Sequence, residues 1–236
     1  MKNKSFIFYD CETTGTNVEK DLIIEIAACK SNSEETFSSF IFVDIPIPNE
    51  ATQVHGITNK DIEKSPIFSE VFFQFKEFCG DNVLVAHNND GFDLPILKNE
   101  CIRHNLEMPN WTFVDSLKWA RKYCPHLPRH SLQYLRQTFN FPKNQAHRAL
   151  DDVITLKKVF SLLINDLSTK DVINLLNAEK TLLTGGNFIM PFGKYQGKQL
   201  QTVPSSYIKW LQEQGVLDKP ENQLLSEAVS VFFKDT

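Results

Sequence analysis

The chain has 236 residues, of which 42% are hydrophobic and 23% are charged, and its formal net charge at pH 7 is −4. This length and composition are typical of a globular protein with one large core and a small second module. No apolar run approaches the roughly 20 residues that a membrane-spanning helix needs, and residues 6–9 are too short for a signal peptide core. We therefore expect a cytoplasmic protein without a membrane span.

The first part of the chain is predicted to form a three-stranded antiparallel meander. Its strands are placed on three segments rich in β-branched and aromatic residues, namely 5–10, 22–30 and 36–43. Pro46, Pro48 and the polar stretch 54–60 indicate a loop after the third strand.

Strands and helices alternate further along the chain. The predicted order is helix 68–79, strand 83–86, helix 93–104, strand 112–114, helix 115–123, and then helices 131–139 and 149–164. Such alternation implies βαβ crossovers. We therefore predict an α/β fold, in which a mixed sheet with the meander at one end is flanked by helices.

The clearest break in the chain is the sequence Thr-Gly-Gly-Asn at 184–187, after a predicted helix at 168–180. We place a main domain at 1–180 and a small C-terminal α+β module at 187–236. The module combines two glycine turns with amphipathic stretches at 205–214 and 222–233.

Basic residues are concentrated in two stretches although the net charge is negative. Residues 116–150 contain seven Lys or Arg and no acid, and residues 180–212 contain four Lys and no acid. These stretches are either solvated faces or surfaces that follow a phosphate backbone, and the first favours the latter because it leads into an acidic segment. The candidate nucleic-acid contacts are Arg121, Lys122, Arg129, Lys194 and Lys198.

The five cysteines are scattered and never lie at the two-residue spacing of zinc sites or redox pairs. We expect them to be reduced packing residues. Cys11 lies between two acids, but thiolates prefer soft metals whereas carboxylates prefer Mg²⁺.

Three segments combine an apolar stretch with acids at a strand end or helix start. Asp10 and Glu12, two residues apart at a predicted strand end, emerge on one face and can bind one metal ion together. Asp93 follows a short strand and a polar turn. Each has an ordinary alternative: Asp10 and Glu12 as a surface pair, and Asp93 as a first-turn acid favoured by the helix dipole.

The third segment contains Asp151 and Asp152, of which only one can face a site, and His147. Residues five apart on a helix differ by about 140° in direction, so His147 has to precede the helix if it and Asp152 point the same way. Acids gathered from three segments repel one another unless divalent cations neutralise them, and Mg²⁺ prefers all-oxygen sites. The pattern indicates a metal-dependent phosphoryl-transfer enzyme.

Together the three segments resemble the motifs of the DnaQ-like DEDDh superfamily of 3′→5′ exonucleases. The matching residues are Asp10-x-Glu12-Thr-Thr-Gly, then His87-Asn88 with Phe92-Asp93, then His147-x-Ala149-x-x-Asp152. The resemblance spans residues 5–165 and implies a ribonuclease H-like fold.

The same resemblance implies a catalytic set. Asp10, Glu12, Asp93 and Asp152 are expected to hold two Mg²⁺ or Mn²⁺ ions, and His147 to act as the general base. Two such ions can activate a water and stabilise the departing 3′ oxygen, while a histidine accepts the proton of the water. The products from DNA 3′ ends are nucleoside 5′-monophosphates.

Substrate-binding residues are also implied by the resemblance, both beside the acids and in a loop at 55–58. They are Thr13, Thr14, Gly15, His55, Gly56, Ile57, Thr58, His87, Asn88 and Phe92. Ile57 is expected to wedge against the last base, and its neighbours to bind the 3′ hydroxyl. The alternative for 55–58 is an ordinary polar turn.

The tail segment that begins Met190-Pro-Phe-Gly-Lys-Tyr resembles the C-terminal module of exodeoxyribonuclease X-like proteins. Lys194 and Lys198, on glycine turns beside aromatic residues, are candidates for contacts with phosphates. The alternatives are a compact mini-core with exposed lysines and a surface that docks a protein partner.

The leading functional hypothesis is a stand-alone DNA repair exonuclease that acts on single- or double-stranded 3′ ends. Trimming of RNA 3′ ends remains open, because the active-site residues do not distinguish the two sugars. Other hypotheses are a proofreading subunit docked on a polymerase and a non-catalytic scaffold, although an intact catalytic set argues against the latter.

Overall fold

The computed structural model describes residues 4–143, 146–182, 188, 190–219 and 222–232. Five strands of this part form one sheet: β1 Phe6–Thr13, β2 Ile23–Lys30, β3 Thr36–Phe40, β4 Val83–Ala86 and β5 Thr112–Asp115. The order is β3-β2-β1-β4-β5. Strands β1, β2 and β3 pair antiparallel, while β4 lies parallel to both β1 and β5. The predicted mixed sheet with an antiparallel meander at one end is confirmed.

Seven helices precede residue 165 in the described part of the chain. They are α1 Asn49–His55, α2 Asn59–Ile62, α3 Phe68–Cys79, α4 Asp93–Arg103, α5 Ser116–Tyr123, α6 Leu132–Thr138 and α7 Ala149–Ile164. The loop predicted between the meander and α3 is wrong in part, because it contains α1 and α2. Pro48 precedes the first turn of α1, and Thr58 with Asp61 forms a capping box for α2.

The side chains of β1 alternate between two helical layers. One set belongs to the core cluster shared with α3 and α4, namely Ile7, Tyr9 and Cys11. On the opposite face, the rings of Phe6 and Phe8 contact Phe160 of α7 edge-on. Because alternate side chains of a strand share a face, Asp10 and Glu12 lie on the α7 side. The pleat of β1 therefore directs both acids toward α7.

The cysteines behave as the sequence predicts. All five are free, and four of them are buried: Cys11, Cys29, Cys79 and Cys101. Burial is the largest cause that raises the pKa of each of these four thiols, so they remain protonated packing groups.

The chain divides into two compact units, Met1–Thr169 and Lys170–Thr236. The division coincides with the start of helix α8 (Thr169–Leu182), whereas the sequence places the boundary after that helix. The predicted break at 184–187 lies outside the described residues. No helix in the described ranges is long and apolar enough to cross a membrane.

The second unit also contains α9 (Ser205–Glu213), α10 (Gln223–Phe232) and a 3₁₀ turn (Leu200–Thr202). The Met190 amide donates to the carbonyl of Lys198 at 2.8 Å, and the Leu200 amide donates to that of Phe188 at 2.6 Å. The described residues of the second unit thus show helices and this hairpin-like pairing but no assigned strand, so the β part of the predicted α+β module stays a prediction. Its core includes Met190, Leu200, Ile208 and Leu211.

Candidate active site

Two acids of β1 lie on the sheet face that α7 covers. Asp10 is opposite Ala27 of β2, and Glu12 is opposite Glu25. Both acids are inside the strand, whereas the sequence predicted them at its end. The strand continues because β2 remains paired with it as far as Thr13, after a register shift. The two carboxylates therefore project from a rigid, hydrogen-bonded backbone.

A cavity of about 290 Å³ opens beside these acids. All five predicted catalytic residues line it: Asp10, Glu12, Asp93, His147 and Asp152. The predicted substrate-binding residues that line it are Thr13, Gly15, His55, His87, Asn88 and Phe92. The remaining four, which do not line it, are Thr14, Gly56, Ile57 and Thr58. Side chains from distant parts of the sequence thus share one cavity.

Three of the carboxylates are close enough to hold one metal ion. Oxygen atoms of Asp10, Glu12 and Asp152 all lie within 4.8 Å of one another. Asp93, at the start of α4, lines the same cavity and is 2% exposed. The donor set consists of carboxylate oxygens, which fit a hard cation such as Mg²⁺ or Mn²⁺ better than a soft metal.

The carboxyl groups in the cavity raise one another's pKa. Burial is the largest cause of the raised pKa of Asp10, and the charges of Asp93, Glu12 and Asp152 add to it. Burial also raises the pKa of Glu12, with Glu25 as the next contributor, and the pKa of Asp93. Because a bound cation offsets both burial and mutual repulsion, the residues present fit a divalent metal site.

His147 lies in the loop ahead of α7 and is exposed. Its backbone is left-handed, with φ 61°, and its amide donates to Asp152 Oδ2 at 2.7 Å. The other carboxylate oxygen of Asp152 accepts a hydrogen bond from Gln133 Nε2 at 2.9 Å. The turn therefore brings the histidine and the carboxylate to the same cavity although they are five positions apart.

Glu25 and Arg148 anchor the segment that carries His147, and neither was assigned a site role from the sequence. Glu25 is 2% exposed on β2, and Arg148 Nη2 lies 3.1 Å from its Oε1. Glu25 Oε2 also accepts from the amide of Ala149 at 3.3 Å. The sequence signal for Glu25 is a single acid within a strand that is otherwise apolar up to its last residue, Lys30. This pair links the start of α7 to β2, where Glu25 lies opposite Glu12.

Arg148→Met is expected to lower the free energy of unfolding by about 1–3 kcal/mol, because it leaves the buried Glu25 carboxylate without its cation. Urea unfolding measures the change. The matched control is Lys157→Met, which removes an ion pair from the same helix to exposed Glu34 and is expected to cost about 0–1 kcal/mol. Equal losses in the two variants would contradict the anchoring role.

Asp115 anchors the loop that precedes Asp93. It is 5% exposed and accepts hydrogen bonds from the amides of Asn88 at 3.2 Å and Asp90 at 3.1 Å. It also caps α5 by accepting from the amide of Leu117 at 2.9 Å. Asn88 has a left-handed backbone, with φ 71°. One carboxylate thus holds both the loop 87–92 and the start of the next helix.

Both ring nitrogens of His87 are engaged within the protein. Nδ1 lies 2.8 Å from Ser116 Oγ, and Nε2 lies 2.8 Å from the carbonyl oxygen of His130. Burial lowers the pKa of His87 to about 4, so the ring is neutral at neutral pH. His87 lines the cavity, but neither nitrogen is available to a substrate in this structure.

The lowered pKa of His87 predicts a loss of stability in acid. The unfolded chain binds a proton near its ordinary pKa and the folded chain does not, so stability falls as the pH drops below about 6.5. We expect His87→Gln to remove about 2 kcal/mol of this loss between about pH 7 and about pH 5. Urea unfolding of both proteins at the two pH values measures it. Identical pH slopes would show that His87 does not contribute.

Ile57, predicted to wedge against the last base, is in the core. It is 2% exposed and packs with Ile24, Ile47 and Ile62. Val54, which is 56% exposed, is instead an apolar side chain of this region that lines the cavity. The burial of Ile57 contradicts the predicted contact with a base, because α1 ends at His55 and the chain turns inward after Gly56.

The cavity-lining face of α1 follows helical spacing. Ala51, Val54 and His55 lie at positions i, i+3 and i+4 and all line the cavity. That spacing is the signal that identifies Val54 once the segment is recognised as a helix. The helix ends because Gly56 adopts a left-handed backbone, with φ 75°.

His55 presents an unused polar atom. Its Nδ1 accepts a hydrogen bond from the amide of Ile57 at 2.9 Å, while its buried Nε2 has no partner in the described part of the chain. Burial is the largest cause that lowers the pKa of His55. The backbone of Thr13 raises this pKa, but it forms no hydrogen bond of normal geometry with Nε2. A buried donor without a partner beside a cavity is a position for a ligand oxygen.

The remaining predicted loop residues shape the backbone. Thr14 is 2% exposed, and its hydroxyl donates to Asp21 at 2.9 Å. A side chain at Gly15 would come within 2.6 Å of Asp21 Oδ2. Thr58 donates through its hydroxyl to Asp61 at 2.6 Å. Thr14 and Thr58 therefore stabilise turns beside the cavity, where substrate contacts were predicted.

None of the predicted basic surface residues lines the cavity. In the first unit, Arg121 and Arg129 are exposed, and Lys122 is half-buried with its ammonium 5.4 Å from the Tyr123 ring centroid. Lys194 and Lys198 are exposed in the second unit. Their contact with nucleic acid remains a prediction.

A family model described as Exonuclease matches residues 7–160, which is more than half of the chain. The chain belongs to this exonuclease family. A second model, described as Putative quorum-sensing-regulated virulence factor, matches residues 178–229. The exonuclease match covers the unit that contains the carboxylates and the cavity.

Curated relatives place the chain within the DnaQ-like exonuclease superfamily, as predicted. It is 31% identical over 166 residues to the DNA polymerase III subunit epsilon of Aquifex aeolicus, covering 69% of this chain and 82% of the relative. It is 33% identical over 177 residues to a PolC-type DNA polymerase III of Listeria welshimeri, covering 74% of this chain. The chain spans only 12% of that polymerase.

Solved structures share the exonuclease fold. Exonuclease X in complex with 5′ overhanging duplex DNA has a TM-score of 0.58 and 22% identity, covering 72% of this chain and 98% of that one. Escherichia coli exonuclease I in complex with a dT13 oligonucleotide has a TM-score of 0.62 and 19% identity, covering 75% and 44%. At these identities the likeness establishes the ribonuclease H-like fold alone.

Proposed function

We propose that this protein is a divalent-metal-dependent 3′→5′ exonuclease that hydrolyses phosphodiester bonds at DNA 3′ ends in the cytoplasm. The observation that carries the proposal is the group of carboxylates from Asp10, Glu12 and Asp152, whose oxygens lie within 4.8 Å of one another in a cavity shared with Asp93 and His147. Membership of the exonuclease family supports the same reaction.

Asp10, Glu12, Asp93 and Asp152 would hold two Mg²⁺ or Mn²⁺ ions. When bound, such ions lower the pKa of a coordinated water and stabilise charge on the attacking and leaving oxygens. The rigid backbone of β1 fixes two of these ligands, and the Gln133 hydrogen bond orients a third. The chain thus supplies a ligand set that does not have to be assembled when substrate arrives.

His147 would act as general base. A neutral imidazole accepts the proton of the attacking water as the water oxygen bonds to phosphorus and the 3′ oxygen of the penultimate nucleotide leaves. The leaving oxygen takes a proton from solvent, and a nucleoside 5′-monophosphate is released. The exposure of His147 suits this role, because the ring can then return its proton to solvent.

The terminal nucleotide would bind against α1 and the loop before α4. Val54 would offer an exposed apolar surface to the base, and the unpartnered Nε2 of His55 would bind a hydroxyl of the terminal sugar. Phe92, which is half-buried and precedes Asp93, would add an aromatic ring to the same surface.

The test uses 5′-labelled single- and double-stranded DNA and matched RNA, each incubated with Mg²⁺, Mn²⁺ or chelator. We expect ladders that shorten from the 3′ end with either metal, no products with chelator, and slower trimming of RNA. Release of nucleotides from the 5′ end, or equal activity in chelator, would refute the proposal. If RNA is trimmed faster than DNA, the proposed substrate changes from DNA to RNA.

A second candidate is a proofreading exonuclease bound to a polymerase, favoured by the alignment with 82% of a polymerase epsilon subunit. The test is co-elution of the protein with the replicative polymerase catalytic subunit of the same organism in gel filtration. A complex that raises the excision rate at mispaired primer ends would support this role. Separate elution of the two proteins at micromolar concentration would favour the stand-alone repair nuclease.

A further inference from the structure

Three aromatic rings of the second unit form a continuous row, which we call the aromatic row: Tyr195, Tyr207 and Trp210. The ring centroids of Tyr195 and Tyr207 are 4.9 Å apart in an edge-on arrangement. Those of Tyr207 and Trp210 are 5.6 Å apart, with only 23° between the ring planes. Tyr207 and Trp210 are three positions apart on α9, which places them on one side of the helix.

Packing accounts for the two tyrosines of the row but not for the tryptophan. Tyr195 and Tyr207 are half-buried and pack against the core of the second unit. Trp210 is 49% exposed and is not part of that core, whereas Trp111 and Trp119 are 7% and 1% exposed. A half-exposed indole held parallel to a neighbouring ring presents a flat apolar surface to solvent.

The glycine turn beside the row fixes the position of Tyr207. Gly193 has φ 78°, and a Cβ atom at this position would collide with Tyr207 Oη. The amide of Lys194 donates to the same oxygen at 3.3 Å. The row is therefore held in place before any ligand binds, which lowers the entropic cost of stacking a base on it.

Lysines predominate among the charged residues that are near the row in the sequence. Residues 190–212 contain Lys194, Lys198 and Lys209 and no Asp or Glu, and the first acid after them is Glu213 at the end of α9. All three lysines are exposed, and the ammonium of Lys194 lies 5.5 Å from the centroid of the Tyr195 ring. Cations next to partly exposed rings match the alternating phosphates and bases of a single strand.

We propose that the aromatic row and its lysines, none of which lines the active-site cavity, form a binding site for single-stranded nucleic acid on the second unit. Trp210 stacks on a base, and Lys194 and Lys198 bind phosphates on the strand. A protein-docking surface would also use an exposed tryptophan, but it does not require a lysine ammonium 5.5 Å from a ring of the row. The site does not depend on the proposed hydrolysis, because it involves none of the catalytic residues.

The test measures binding of the full chain to a fluorescently labelled oligodeoxythymidine of about 15 nucleotides by anisotropy, with chelator present to prevent hydrolysis. We expect Trp210→Ala to weaken binding about tenfold, and Trp210→Phe to restore most of it because phenylalanine still stacks. The double variant Lys194→Ala/Lys198→Ala is expected to reduce the slope of log affinity against log salt by about 1.4, since each phosphate contact on a single strand contributes about 0.7.

Two controls make the outcome specific. Lys219→Ala removes an exposed lysine of the same unit, and Phe73→Ala removes an aromatic side chain that is 59% exposed in the first unit. Both are expected to bind within about twofold of wild type. Thermal unfolding establishes that each variant is folded. A folded Trp210→Ala variant that binds as tightly as wild type would overturn the proposal and leave the row as a protein-docking surface.

Failure of this inference is distinguishable from failure of the proposed function. Loss of oligonucleotide affinity in Trp210→Ala, in a wild-type protein that hydrolyses nothing, would uphold the binding site and refute the nuclease. If the wild-type protein hydrolyses DNA but its oligonucleotide affinity does not change when Trp210, Lys194 and Lys198 are substituted, the nuclease is upheld and the binding site is refuted.

Discussion

Asp10→Asn is expected to reduce metal-dependent hydrolysis at least about a thousandfold, because it removes one of the three carboxylates, with Glu12 and Asp152, that are close enough to hold one metal ion. The same variant is expected to stabilise the metal-free protein by about 1–3 kcal/mol, because an amide replaces a buried charge that burial and Asp93 disfavour. A loss of activity combined with a gain in stability distinguishes a metal ligand from a structural residue.

The stability effect has a defined pH dependence. The folded pKa of Asp10 is raised, so the folded protein binds more protons than the unfolded chain at intermediate pH. Its contribution to stability is therefore present in acid, below the unfolded pKa of about 4, and is lost as the pH rises. Thermal unfolding with chelator should show wild type losing stability above about pH 4 more steeply than Asp10→Asn.

Asp151→Asn is the matched control for Asp10→Asn. Asp151 is half-buried, precedes Asp152 on α7 and does not line the cavity. We expect its activity to stay within about threefold of wild type, and added Mg²⁺ to raise the unfolding temperature of wild type and Asp151→Asn but not of Asp10→Asn. Wild-type turnover by Asp10→Asn would refute the site assignment.

His147→Ala is expected to lower the hydrolysis rate by about 10²–10⁴-fold, the usual range for loss of a general base. Metal binding should be largely retained, because the contact of residue 147 with Asp152 is made by its backbone amide and not by its ring. Isothermal titration with Mg²⁺ in the absence of substrate tests the second statement, and single-turnover hydrolysis of a labelled oligonucleotide tests the first.

His126→Ala is the matched control for the base, because His126 is also an exposed histidine of the same unit but does not line the cavity. Its rate should equal that of wild type. The pH profile gives a further check, since an imidazole accepts a proton only when it is neutral. If His147→Ala keeps both the rate and the acid limb of the wild-type profile, another group is the base.

Much of the fold was predictable because its signals are local. The alternation of Phe6, Phe8, Asp10 and Glu12 along one strand places both acids on the face opposite Tyr9, and this follows from the two-residue repeat of any β-strand. Helices α3 to α7 have apolar spacing that can be read within a window of a few turns. The order of the acidic segments along the chain likewise identified the family that the comparisons confirm.

The wrong prediction for Ile57, two residues after α1, shows where local signals fail. The segment 49–55 is short and follows two prolines, so it resembles a loop, and helix propensity over so few residues is too weak to predict otherwise. The resemblance of residues 55–58 to a substrate-binding loop of the family led us to expect that the Ile57 side chain faces the substrate. Packing against Ile24 and Ile62 of neighbouring elements decided its direction instead.

The sequence by itself determined the chemistry of this protein: which acids and which histidine are present, in what order, and that a strand pleat and a turn can present them. The tertiary structure alone decided how they are held. Glu25 reaches Arg148 across 123 positions, and Asp115 binds the amide of Asn88 across 27. Contacts at such separations depend on how strands and helices pack, and the residues that make them have no spacing or motif along the chain that marks them as partners.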